Sequence, residues 1–172
     1  LLGKPVVRKS EVPSEQAFLQ QDFHKIDWLK LNIESDLQVV IEQRIGEIGK
    51  TLKADAPLAV VFLCGSTLEG LLLDVAAKNA TQFKSADTAP KDKEGKIKQL
   101  HDWTLDNLIN VAYEVELLSL DVKKHSHSLR DFRNYIHPRQ QAVQRFTPDQ
   151  HTARISWQVL QAAIANLSGQ RK

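Results

Sequence analysis

The stretch LAVVFLCGSTLEGLLLDVAA, from Leu58 to Ala77, is apolar on nearly every face a helix could present. It is too long for an ordinary strand, and Pro57 immediately before it suits a first helical position. A helix apolar all round has to be covered on all sides. The chain must therefore supply several partner helices, with this one at the centre. Glu69 and Asp74 lie within the run, which makes it read as a buried helix rather than a membrane span. At 172 residues the chain is long enough to build one such core.

The partners can be read from periodicity. Leu37, Val40, Ile41, Ile45 and Ile48 recur three or four apart, predicting a helix from about Asp36 to Leu52. Residues 79–92, NATQFKSADTAPKD, are polar and broken by Pro90, so they predict a mobile loop. A third helix is expected from the mixed-charge start KDKEGKIK (91–98) through Ile97, Leu100, His101, Leu105, Leu108, Ile109, Ala112 and Val115 to about Leu118. Residues 122–137 make a fourth, and the segment from Thr147 to Leu167 a fifth, with Pro148 in its first turn. The first 33 residues show no sustained period and read as a linker or docking segment, although FLQQDFHKIDWLKL is apolar enough to dock. The expectation is an all-α bundle of four to five helices over residues 34–170.

The fourth helix ends in SLRDFRNYIHPRQ. At helical spacing Leu129, Phe132 and Ile136 share one side, while Arg130, Arg133, Asn134 and His137 share an arc of about 100° on the other. Asp131 and Tyr135 lie on the flank. Two guanidinium groups three residues apart repel by a few tenths of a kcal/mol, a cost that a bound anion would relieve. Pro138 disfavours helical geometry at His137, which places the imidazole at or near a helix C-terminus, where the dipole favours its protonated form. A histidine beside fixed cations suits proton transfer at a phosphodiester, with arginine stabilising charge on the phosphoryl oxygens. Such chemistry needs no metal.

An arginine followed by a polar residue, then four to six residues and a histidine, late in a small helical bundle, resembles the HEPN superfamily. With Arg130 and Asp131 as the pair, six residues lie between the arginine and His137. Arg133 and Asn134 supply the family's common Arg-Asn pair, but only three residues lie between that arginine and the histidine. Both registers stay open. The helix GSTLEGLLLDV is similar to the one preceding the motif helix in bacterial members, so the resemblance spans roughly residues 36–168. It implies either a metal-independent endoribonuclease, dimerising through its motif helices, or an inactive scaffold or nucleotide-binding regulator. In the active case a ribose 2′-OH attacks the adjacent phosphate, with His137 as acid or base, Arg130 on the phosphate, and Asp131, Arg133 and Asn134 in support. RNA or a nucleotide is the implied ligand, in a bacterial defence, abortive-infection, toxin or stress setting, with a fused domain or an antitoxin as further partners.

Other residues have plainer readings. The cationic face could simply be solvated and paired with carboxylates of a neighbouring helix. Glu69, alone in an apolar helix, is expected to be a structural carboxylate held by Arg130 or Arg133, because burial unpaired would be costly. His125 and His127 diverge by about 200° on a helix and have no obvious ligand partner, so neither a metal nor another cofactor is expected. Trp103 and Trp157 read as core or interface aromatics. Cys64, the only cysteine, lies in the apolar run and fits a reducing, cytoplasmic setting. No glycine-rich phosphate loop, nucleophile elbow or paired-carboxylate spacing appears. A chain that opens LLGKP and contains no methionine is expected to be part of a longer protein.

Overall fold

The computed structural model describes residues 13–23, 26–133 and 137–170, leaving aside the side chains of Ser128, Phe132 and Arg133. It is all-α: nine α-helices and one 3₁₀ turn, with a single isolated bridge between Lys91 and Ile97 the only β pairing among the described residues. The helix count exceeds four to five because short helices cap a bundle of long ones.

The centre is α4 (Pro57–Lys78), with Pro57 in its first turn and Val60, Val61, Cys64, Leu68, Leu71, Leu72, Val75 and Ala76 buried. Those positions recur at three and four residues, so they form a wide stripe. By length and hydropathy α4 could cross a bilayer. In the fold it is packed against α3 (Ser35–Lys53), α6 (Leu105–Glu114), α7 (Leu120–Arg133) and α9 (Gln150–Leu167). The most extensive of these contacts is with α9, whose Ala153, Ala162 and Ala163 are buried and small enough for close approach. Arg44 of α3 donates to Ser66 Oγ of α4 at 2.5 Å, tying the two helices by a polar contact as well. Burial pushes the Cys64 thiol pKa upward, so it behaves as a small hydrophobe.

The N-terminal segment docks on this bundle. Helices α1 (Glu15–Leu19) and α2 (Trp28–Leu31) place Phe18 and Leu31 in the core. Gln158 of α9 donates from Nε2 to the Phe18 carbonyl in the last turn of α1 and to the Gln21 carbonyl just beyond it.

Four expectations need correction. Residues 79–92 are not a free loop: α5 (Ala80–Ser85) buries Phe83, and the Glu114 carboxylate accepts from the amides of Asp87 and Thr88. Polarity misled here because one aromatic anchor and one carboxylate are enough to fix the segment. The third helix starts later than its apolar spacing implied. Gly95 at φ 81° and the Asp92 carboxylate, which accepts from the Glu94 and Lys96 amides, form a turn over 91–98. A 3₁₀ turn at Leu100–Asp102 follows, and α6 begins only where Thr104 and Asn107 make a capping box. The fourth helix does not run to His137, because Pro138 starts α8 (Pro138–Gln144) with His137 as its N-cap. The last helix is capped by Asp149, whose carboxylate accepts from Thr152 N at 2.8 Å, so buried Pro148 precedes the helix instead of opening it.

A candidate polar site on helices α6 and α7

Helix α7 turns Val122, Ser126 and Leu129 into the bundle, at intervals of four and three residues. Leu129 is buried while Arg130 keeps 31% of its side-chain surface, so the facial reading of the motif holds where it is described. Phe132 and Arg133 lie on α7 with their side chains outside the description, and Asn134, Tyr135 and Ile136 are outside the described residues.

Arg130 is held from both sides. Its Nη1 donates to Asp106 Oδ1 in the first turn of α6, and its Nε and Nη2 donate to Asp131 Oδ1 at 2.9 and 2.5 Å. Partial burial opposes the charge, but the bonds and charges of Asp131 and Asp106 outweigh it and hold the guanidinium pKa above its ordinary value. Asn110 donates to the other Asp106 oxygen at 3.2 Å. His127 Nδ1 is 3.1 Å from Asp106 Oδ1, yet it is buried without an aligned hydrogen bond. We read this contact as electrostatic. The His127 pKa is lowered, first by burial and then by Arg130 and Lys123, against the pull of Asp106 and Asp131. The ring therefore favours its neutral form.

His137 is exposed, with an extended backbone at φ −90°, ψ 115°. Its carbonyl accepts from the Gln141 amide, the first bond of α8. It is the N-cap of α8, not the helix C-terminal residue that its place before Pro138 implied. Proline's effect on its neighbour produces both the break and the cap. Glu69 is half-buried on α4; the Arg130 bonds go to Asp106 and Asp131. His125, the other histidine of the pair, stacks on Phe18 with centroids 4.3 Å apart. Among the described residues no three His, Cys, Asp or Glu side chains gather as a metal-ligand set.

Asp106 and His127 are the site residues that sequence reading missed. His127 lies three residues before Arg130, a helical neighbour by spacing alone. Asp106 reads locally as an acidic residue in a helix first turn, and only the packing of α6 on α7 brings it to Arg130. No protein-family model, curated protein or solved structure matches the chain.

Proposed function

We propose that this chain is a HEPN-like helical domain that acts on RNA, working as a homodimer in a bacterial defence or stress setting in the cytoplasm. The observation that carries the reading is His137: an exposed residue at the N-cap of α8, four positions beyond Arg133, the last residue of the helix that bears the motif arginines. A group so placed can exchange a proton with a ribose 2′-OH or a leaving 5′-oxygen, while an arginine of α7 stabilises the phosphate oxygens. Two chains facing each other would pool their cations along one groove, and an anionic backbone would relieve their repulsion.

The arginine is the open part of this reading. Arg130 already has two carboxylates, so engaging a phosphate requires it to exchange one of them, most easily the more exposed Asp131. Arg133 gives the alternative register. Cleavage assays separate them: the Arg130 register predicts a loss of about two orders of magnitude in Arg130→Ala and a smaller loss in Arg133→Ala. The reverse result assigns the phosphate to Arg133 and leaves Arg130 a structural role.

The same double pairing favours a second reading, a non-catalytic scaffold in which Arg130 serves only to join α6 to α7. Under that reading RNA or a nucleotide is bound but never cut, and neither arginine variant changes the product.

A further inference from the structure

Along one stripe of α9 the chemistry changes from charged to apolar. Towards its N-terminal half, Arg154 and Lys53, the last residue of α3, flank a cleft of about 520 Å³ with Trp157 in its wall. Both cations are exposed. His151 also reaches this cleft but is paired with Glu15 at 2.9 Å. Trp157 then forms part of a second chamber of about 230 Å³, with Phe23, Ile45 and Ile164 among its walls. Cleft and chamber thus share one aromatic side chain.

We infer that this groove binds a small amphipathic anion, an organic carboxylate with a hydrocarbon body. The head lies on Arg154 and Lys53, where a guanidinium can take a carboxylate through two parallel hydrogen bonds. The body passes Trp157 into the apolar chamber. Among the described residues neither cation is engaged in an ion pair, so both can face one carboxylate. The combined shape matches ligand pockets generally: mostly apolar walls with a few convergent polar groups. The larger cleft near Glu114 and Glu116 offers no such match, since Glu114 is occupied in holding Asp87 and Thr88. The inference is independent of the RNA reading.

Titration calorimetry of the full chain with sodium octanoate tests it. The expected result is saturable binding of one octanoate per chain with a dissociation constant in the millimolar range or tighter, and affinities at least about tenfold weaker for acetate, which lacks the body, and 1-octanol, which lacks the charge. Arg154→Glu should weaken octanoate by about tenfold or more, and Gln161→Trp, which crowds the apolar chamber, should abolish binding. Non-saturable uptake, equal affinity for 1-octanol, or full affinity in a Lys53→Glu/Arg154→Glu double variant would overturn the proposal. The acetate and 1-octanol comparisons use the unaltered protein, so they decide the matter even if a variant fails to fold.

Discussion

Arg130 illustrates how the same side chain can serve packing or chemistry, and its partners set the size of each effect. The pair with Asp106 is only partly exposed, and the pair with Asp131 is largely so. Measured ion pairs of that kind contribute roughly 0–1 kcal/mol. Arg130→Ala should therefore lower unfolding free energy by no more than about 1 kcal/mol in a urea titration, and Asp131→Ala by less. A loss of several kcal/mol would mean that the guanidinium is a core strut, which weakens its case as a phosphate ligand. Residue identities that act through local spacing were legible: Arg130 and Leu129 fall on the faces that helical phase predicts. Asp106 was not, because its proximity to Arg130 depends on how α6 docks, a contact across more than twenty residues of chain; His127 is within reach of Arg130 by helical spacing, but its place beside Asp106 depends on the same docking.

At the scale of elements, the long helices were readable and the caps decided where reading failed. The apolar run from Leu58 and the stripe from Leu37 predicted α4 and α3 to within a residue or so, since each buries a face that repeats with the helix. The start of α6 was lost because Ile97 and Leu100 happen to continue its phase, while the Gly95 turn and the Thr104–Asn107 capping box stop the helix from extending back to them. Helix α9 depends on a similar device. Asp149→Ala removes the acceptor for the Thr152 amide and hydroxyl, and should cost about 1 kcal/mol. Chemical denaturation measures that cost directly, and Asp149→Asn should recover most of it. An unchanged midpoint in Asp149→Ala would show that packing on α4 alone sets where α9 begins.

For the whole molecule, two half-buried histidines link folding to pH. Burial lowers the pKa of both His125 and His127 from the ordinary 6.5. The unfolded chain therefore takes up protons first as pH falls, so stability is full above about 6.5 and declines below it until the folded-state values are passed. Unfolding free energy should be lower at pH 5.5 than at pH 7.5, and the His125→Gln/His127→Gln double variant should show a flatter profile over that range. His125 stacks on Phe18, so the acid-sensitive contact includes the one that seats α1. The proposed activity has its own most direct measurement: incubation of the purified protein in EDTA with labelled single-stranded RNA, followed by analysis of the product ends. Proton transfer by His137 predicts cleavage that leaves 2′,3′-cyclic phosphate, no cleavage of the matching DNA, and a fall of about two orders of magnitude in His137→Ala with folding intact. RNA that is bound but never cut, or cut by His137→Ala at the unaltered rate, would contradict it.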